Sequence, residues 1–246
     1  MSRIVVFTDL DDTLFQTAEK CRTWSAPANW TPAALDGAGQ PRSFQVPAQR
    51  ALLELLRDCP LIPVTGRNRA ALERVIYPKF THYRIVSHGG MVYDPDGNVC
   101  ADWLAWVAPQ ARAGATELTA LTTALAARLA PDYPDVCVRL VEDAGLPMYV
   151  SLKLPASVAA PSIEEWRALA PSSDWYPHVN GNNMALLPPY VRKATAVAWV
   201  IARERRLHED ICFVALGDSD SDLGFMHLCD FAAIPRHAQI RATWPC

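Results

Sequence analysis

Residues 4–14 read Ile-Val-Val-Phe-Thr-Asp-Leu-Asp-Asp-Thr-Leu, a short apolar run that ends in acids. A continuous apolar run of this length is typical of a parallel strand buried on both faces. Asp9 and Asp11 lie two positions apart directly after it, so both can address one pocket. Like charges this close repel, and a divalent cation is the usual remedy. Since Asp also forms turns and helix caps, this pair alone leaves a turn and a metal site equally open.

The chain on either side alternates short apolar runs with helical patterns. Further runs occur at residues 61–64, 84–86 and 211–216, and helical patterns cover residues 47–57, 68–76 and 193–206. This alternation predicts an α/β fold with a doubly wound, Rossmann-like parallel sheet. Ligands of such sheets bind outside the carboxyl ends of the strands, which is where the first acids lie.

The middle of the chain has a different pattern, in which a helix and two strands occur twice in succession. A leucine stripe at positions 118, 121, 125 and 129 precedes two alternating strands, and a capping box at Ser162 and Glu165 precedes two more. The strands are expected near residues 136–142, 148–154, 175–180 and 184–187. We therefore predict an inserted α+β cap domain of α-β-β repeats over residues 90–188, within a catalytic core domain of residues 1–89 and 189–246.

The predicted cap sheet carries both helices on one side, which leaves its other face open. Alternation directs the apolar residues toward the helices and a polar set away from them. That set includes Arg139, Lys153, His178 and Asn180, which could bind hydroxyls or an anionic substituent of a substrate. Exposed strand faces are also polar for solubility alone, and the sequence leaves both interpretations open.

Three further motifs fall where a parallel sheet gathers its strand ends. Thr65-Gly66-Arg67 offers a hydroxyl, a glycine that lets backbone approach a phosphate, and an arginine that can fork onto it. Lys193 begins a helical pattern, and Gly217-Asp218 with Asp222 follows the last apolar run. Each has an ordinary alternative: a strand-to-helix turn, a solvated lysine and an acidic helix cap. Their combination favours a site that handles phosphate with a metal ion.

These four motifs resemble those of the haloacid dehalogenase superfamily of phosphohydrolases. The inserted repeat is similar to the type-two cap of its sugar-phosphatase branch, which includes sucrose-phosphate and mannosylglycerate-phosphate phosphatases. The resemblance implies that Asp9 is a nucleophile that forms an aspartyl-phosphate and that Asp11 is the general acid and then the base. It also implies that Thr65 holds the phosphoryl oxygens and that Lys193 neutralises their charge.

The resemblance further implies a Mg²⁺ cofactor, held by Asp9, the backbone carbonyl of Asp11 and Asp218, with Asp222 in support. A phosphate dianion approaches several carboxylates only when a cation offsets the repulsion. The sequence departs from the superfamily pattern at Ser221 and at His88, where asparagine is commoner.

Composition limits the remaining choices. The chain has 246 residues, a net charge of −3 and seven cysteines. The scattered basic residues form no stripe, which argues against nucleic-acid and anionic-membrane partners. Acids directly after the first short apolar run are unlike a secretion signal, and an odd number of cysteines without a C-x-x-C pair fits reduced thiols. We expect a cytoplasmic protein.

The expected function is Mg²⁺-dependent hydrolysis of a small phosphate monoester, a sugar phosphate or related metabolite. Two alternatives remain open. A phosphotransferase or phosphomutase would pass the same aspartyl-phosphate to a hydroxyl, and a phospho-accepting regulatory module resembling a receiver domain would use the same kind of sheet and acids. The sequence names neither the leaving group nor the oligomeric state.

Overall fold

The structure is a computed structural model that describes residues 3–155, 158 and 162–243. Its strands are β1 (Arg3–Thr8), β2 (Gln16–Thr17), β3 (Thr31–Leu35), β4 (Pro41–Gln45), β5 (Leu61–Pro63), β6 (Arg84–Val86), β7 (Met91–Tyr93), β8 (Cys137–Asp143), β9 (Leu146–Lys153), β10 (Tyr176–Asn180), β11 (Asn183–Leu187), β12 (Ile211–Leu216) and β13 (Phe231–Ala233). Its α-helices are α1 (Ala18–Cys21), α2 (Pro47–Leu55), α3 (Arg69–Leu72), α4 (Ala101–Ala113), α5 (Ala115–Leu129), α6 (Ile163–Arg167), α7 (Lys193–Leu207), α8 (Asp220–Met226) and α9 (Gln239–Thr243). Short 3₁₀ helices cover Pro27–Asn29 and Ser87–Gly89.

The chain folds as two compact units, of which the second interrupts the first. Residues up to 98 and from 193 onward form the first unit, and residues 99–192 form the second. The boundaries predicted after residues 89 and 188 lie earlier in the chain than the divisions after residues 98 and 192. The first one differs because the β6–β7 hairpin belongs to the first unit. The assignment of these units as catalytic core and cap stays a prediction.

A parallel sheet forms the centre of the first unit, in the order β13-β12-β1-β5. A parallel bridge between Val64 and Ile85 adds β6 beside β5. The apolar run of β1 has no solvent exposure at Val5, Val6 and Phe7, as expected for a strand covered on both faces. The predicted α/β fold with an inserted α+β unit is confirmed.

The order of the strands reverses beside β1. The chain leaves β1 for β5 and β6 on one side and returns as β12 and β13 on the other. Such a reversal opens a crevice at the carboxyl ends of the two central strands. It lies between the residues that follow β1 and those that follow β12.

The segment between β1 and α2 forms a small antiparallel sheet, β2-β4-β3, that we did not predict. It also explains why α3 is shorter than the helix expected over residues 68–76. Beyond Leu72 the backbone bonds to β3 instead: Ile76 N donates to Ala33 O at 2.8 Å, and Leu35 N donates to Arg74 O at 2.9 Å. These sheet-like bonds replace the helical ones. The two tryptophans of this segment make ring contacts within the unit, Trp24 with His237 and Trp30 with Phe44.

The second unit contains a four-stranded antiparallel sheet, in the order β10-β11-β9-β8. One face packs against α5 and α6 in a core that includes Leu118, Leu125, Val150, Leu152, Trp166 and Leu186. The predicted capping box is present, with Ser162 N donating to Glu165 Oε2 at 2.6 Å and Glu165 N donating to Ser162 Oγ at 3.3 Å. Within the described part of the chain, none of the helices has the length and apolar character needed to cross a membrane.

Candidate active site

Four segments bring polar side chains to the carboxyl edge of the parallel sheet. Asp9 directly follows β1, Thr65 comes shortly after β5, and Gly217 and Asp218 follow β12. Lys193 is the first residue of α7. Asp9, Thr65, Lys193 and Asp218 are each less than a tenth exposed, so the sheet gathers these charged and polar groups into a buried site.

Lys193 lies at the centre of this site. Its Nζ donates to Asp9 Oδ1 and to Asp222 Oδ1, both at 2.7 Å. Burial alone would lower the pKa of Lys193, but the adjacent carboxylates of Asp222 and Asp9 raise it well above its usual value. The lysine is therefore a fixed ammonium that bridges two acids from opposite ends of the sequence.

Asp222 is held by the turn that precedes it as well as by the lysine. Its Oδ2 accepts from Asp218 N at 3.1 Å, Ser219 N at 3.0 Å and Ser219 Oγ at 2.8 Å. Although burial opposes ionisation, Lys193 and the Ser219 donors lower the pKa of Asp222. A β-carbon on Gly217 would lie 2.6 Å from Asp222 Cβ, so only glycine allows this close approach.

Asp9 and Asp218 are the two acids of the group whose negative charge is poorly compensated. Burial, followed by Asp222 and Asp12, raises the pKa of Asp218 to about 7, even though Thr13 Oγ1 donates to its Oδ1 at 3.0 Å. Burial also raises the pKa of Asp9 well above its usual range, and Lys193 only partly offsets this. Two buried carboxylates thus lack enough positive charge to ionise easily.

The acids fit a divalent cation. Asp9, Asp218 and Asp222 are all buried, and each offers a carboxylate oxygen within 4.8 Å of those of the other two. Oxygen ligands are what Mg²⁺ prefers, and three carboxylates face a single ammonium. A cation at this position would supply the charge that the raised pKa values of Asp9 and Asp218 show to be lacking.

Asp11 is not part of this carboxylate group, because its side chain is bound by Arg67. Arg67 Nε donates to Asp11 Oδ2 and Nη2 donates to Oδ1, both at 2.7 Å. This is the two-pronged geometry in which guanidinium and carboxylate bind most strongly. Arg67 also lies over the ring of Phe15, with 5.2 Å from its Cζ to the ring centroid. Arg67, which we expected to contact phosphate, binds the expected general acid here, and its contact with phosphate stays a prediction.

The turn after β5 is braced by the turn after β6. Arg67 N donates to Thr65 Oγ1 at 3.1 Å, and His88 N donates to Thr65 O at 2.9 Å. His88 has a left-handed backbone (φ 56°), and a β-carbon on Gly66 would lie 2.5 Å from its Nε2. Gly66 therefore admits the buried imidazole against the backbone of the predicted phosphate loop.

Sequence reasoning missed three residues of this site: Thr13, Ser219 and His88. Ser219 could have been found, since a serine three positions before Asp222 is a capping box. Thr13 stood inside the first motif, but no local pattern indicates that it bonds to an acid more than 200 residues away. His88 was noticed only as a departure from the superfamily pattern.

The four predicted residues of the second unit share one face of its sheet. Strand register aligns Arg139 with Ser151, Ser151 with Ala185, and Ala185 with His178 across the sheet. Lys153 and Asn180 both pair with Asn183, two residues along each strand from the first row. Residues two positions apart on a strand lie on the same face. The apolar residues between these rows form the core on the other face, so the predicted alternation is correct.

Comparisons with solved structures find similar folds. A sucrose-phosphatase from Synechocystis sp., solved with sucrose and phosphate, is 17% identical with a TM-score of 0.53, covering 99% of this chain and 86% of that one. The C-terminal domain of trehalose-6-phosphate phosphatase from C. albicans is 14% identical with a TM-score of 0.57, covering 92% and 73%. A Thermoplasma acidophilum protein is 14% identical with a TM-score of 0.57, covering 99% and 88%.

No protein-family model and no curated protein matches the sequence. At these identities, the structural likeness shows a shared fold. It is the fold that the resemblance to the haloacid dehalogenase superfamily implies.

Proposed function

We propose that this chain is a Mg²⁺-dependent phosphatase that hydrolyses a small phosphate monoester through an aspartyl-phosphate on Asp9. The observation that carries the proposal is the buried bridge from Asp9 through Lys193 to Asp222, with Asp218 beside it. A fixed ammonium beside three converging carboxylates suits a phosphoryl group that arrives with a divalent cation. The folds shared with sucrose-phosphatase and trehalose-6-phosphate phosphatase support the same reaction class.

The proposed reaction has two displacements at phosphorus. A carboxylate oxygen of Asp9 attacks the phosphorus, the bond to the alcohol oxygen breaks, and Asp11 gives that oxygen a proton. Asp11 then takes a proton from water, whose oxygen attacks the aspartyl-phosphate and releases inorganic phosphate and free Asp9. Lys193 would offset the charge on the phosphoryl oxygens throughout, and Thr65 would hydrogen-bond to them.

Mg²⁺, held by Asp9, Asp218 and the backbone carbonyl of Asp11 with Asp222 in support, would supply the positive charge that lets a phosphate dianion approach these acids. The same group of buried carboxylates explains why the proposal includes a metal at all. Without it, Asp9 would be hard to ionise for attack, and a dianion would be repelled by every carboxylate that did ionise.

Arg67 would act in two ways in this scheme. Its bond to Asp11 fixes the position of the acid, and its guanidinium is also the right shape for phosphoryl oxygens. Asp11 takes one N–H of Nε and one of Nη2, so phosphate contact would use the remaining N–H groups of Nη1 and Nη2.

We propose that the leaving alcohol is recognised by Arg139, Lys153, His178 and Asn180. Their common face on the sheet of the second unit supports this, since a polyhydroxylated alcohol needs several hydrogen-bonding side chains together. The cap role of the second unit and a cytoplasmic location belong to the same proposal. The free cysteines of the described chain, Cys21, Cys59, Cys100, Cys137, Cys212 and Cys229, are consistent with a reducing compartment.

The deciding experiment is phosphate release from a panel of sugar, nucleotide and coenzyme phosphates with the purified chain. We expect Mg²⁺-dependent release by the wild type, no release in EDTA, and a loss of at least about 10³-fold in Asp9→Asn. Asp58→Asn changes an exposed acid and is the matched control. Normal turnover by the folded Asp9→Asn protein would refute the nucleophile. Transfer of the phosphoryl group to a hydroxyl instead of water would identify a phosphotransferase or phosphomutase.

A further inference from the structure

A cavity of the first unit lies beside α3 and the β6–β7 hairpin. It measures about 290 Å³ and is lined by residues of three segments: α3 and the chain after it, both ends of β6, and the end of β7 with the turn that follows. The apolar part of its lining includes the buried side chains of Leu72, Val75, Pro78 and Tyr93. None of its lining residues belongs to the candidate active site.

Two arginines converge in this cavity. A β-carbon on Gly97 would lie 3.5 Å from Arg69 Nη2 and 3.8 Å from Arg84 Nη1. Gly97 has a left-handed backbone (φ 86°), where glycine is favoured. The absence of a side chain therefore leaves a small open space that two guanidinium groups border, and Lys79 adds a third cation to the lining.

The charge on Arg84 is only weakly compensated. Its Nη1 donates to Asp94 O at 2.8 Å and its Nη2 donates to Phe80 O at 2.8 Å. These acceptors satisfy hydrogen bonds without carrying a formal charge. Burial and then the charge of Arg69 lower the pKa of Arg84, and Asp94 only partly opposes this. The lining therefore carries three cations, Arg69, Lys79 and Arg84, against two acids, Glu73 and Asp96, which leaves one formal positive charge in excess.

Arg69 is fixed so that its charge stays in the cavity. Its Nε donates to Glu73 Oε1 at 2.8 Å, its Nη1 donates to Gly97 O, and its Cζ lies 4.6 Å from the centroid of the Tyr93 ring. These contacts hold the guanidinium plane in place, so little side-chain entropy remains to be lost when a ligand binds. The guanidinium of Arg69 is therefore preorganised for binding an anion.

We propose that this cavity is a binding site for a small organic anion, in which Arg69 and Arg84 hold a carboxylate or phosphoryl group and the apolar part of the lining holds its hydrocarbon part. The cavity volume suits a ligand of about ten non-hydrogen atoms, near the lower end for small-molecule sites. The site is separate from the proposed phosphatase centre and does not depend on that function.

The proposal is tested with benzoate and phenylphosphonate as probes and benzyl alcohol as the uncharged analogue. The full chain is freed of metal with EDTA and then dialysed against buffer without EDTA, because EDTA is an organic polyanion that would compete with the probes. Without a metal the acidic site after β1 and β12 repels anions. We expect saturable thermal stabilisation by one or both anions, with a Kd of about 1 mM, and at least about tenfold weaker binding of benzyl alcohol. The stronger of the two anions then identifies the head group as carboxylate or phosphoryl.

Variants identify the site. Arg84→Gln should weaken binding at least about tenfold. Since Arg84 also anchors Phe80 and Asp94, Lys79→Gln at the exposed rim is a second variant that leaves those bonds intact, and we expect it to weaken binding about threefold. Arg57→Gln, an exposed arginine outside the cavity, should bind like the wild type. Absence of saturable binding by either anion, or equal binding by the wild type and folded Arg84→Gln, would overturn the proposal.

Discussion

The acidic residues of the candidate site have two different kinds of cationic partner. Asp9, Asp218 and Asp222 converge around Lys193, whereas Asp11 turns to Arg67 through two bonds of 2.7 Å. Although Asp9 and Asp11 are only two residues apart after β1, their carboxylates therefore bind different partners. This separation is what a nucleophile and an acid/base group need if they are to act in different protonation states.

The separate position of Asp11 leads to a residue-scale prediction. Asp11→Asn should slow turnover by about 10²- to 10⁴-fold, the range typical of lost acid/base catalysis, and leave Mg²⁺ affinity nearly unchanged. Affinity is preserved because the carboxylates of the metal group do not include Asp11. Steady-state kinetics and isothermal titration with Mg²⁺ measure the two effects. Wild-type kinetics in this variant would remove the acid/base role, and loss of Mg²⁺ binding would place its carboxylate in the metal site.

A helix or strand could be predicted where the local sequence alone determines it. β1, β5, β6 and β12 coincide with short, mainly apolar runs, and the Ser162 capping box opens α6, so the local pattern identified them. The β2-β4-β3 sheet was missed because its strands are short, lack clean alternation and contain Pro32 and Pro41. The length of α3 was overestimated because hydrogen bonds to β3, which is distant in sequence, end the helix.

The second unit offers an element-scale prediction. Trp166 of α6 is 1% exposed and packs in the core beneath the antiparallel sheet, whereas Trp106 of α4 is 42% exposed. Trp166→Ala should lower the free energy of unfolding by about 3–5 kcal/mol, since it leaves a large cavity. Trp106→Ala, the control of equal size, should cost much less. Urea denaturation followed by circular dichroism measures both, and similar losses in the two variants would contradict the assigned core.

The fold as a whole also contains a basic and imidazole cluster at the opposite end of the sheet from the candidate site. Arg3 of β1 lies 2.8 Å from His82 Nε2 and 2.5 Å from His208 Nε2, and its Nη2 is 3.7 Å from the buried Glu204 of α7. No local sequence pattern groups Arg3 with His82 and His208, which are 79 and 205 residues away along the chain. The tertiary fold alone brings them together.

This cluster predicts how stability depends on pH. Burial lowers the pKa of His82 below its usual 6.5, and Arg3 and His208 add to this while Glu204 opposes it. The unfolded chain therefore binds this proton more readily, so the contribution of His82 to the free energy of unfolding should fall as the pH decreases below about 6.5, whereas Asp9 and Asp218, with raised pKa values, contribute in the opposite direction. His82→Gln should flatten this part of the profile, and His227→Gln, at an exposed position, should not. Urea titrations from pH 8 to 5.5 test it; an unchanged slope in His82→Gln would contradict the prediction.

The central strand pairing has a consequence for how this chain reaches its fold. Val5 of β1 pairs with Phe213 of β12, so the middle of the parallel sheet joins the two ends of a long loop. The residues inside that loop include a complete compact unit with its own core, which needs no partner from outside to bury its apolar face. During synthesis, the inserted unit is complete before β12 is made. That unit can therefore fold while the edge of β1 that pairs with β12 is still unpaired. Pairing of β1 with β12 cannot occur before β12 has been synthesised, and the same pairing brings Asp9 close to Asp218; slow pairing would leave an apolar strand edge open to aggregation in the nascent protein.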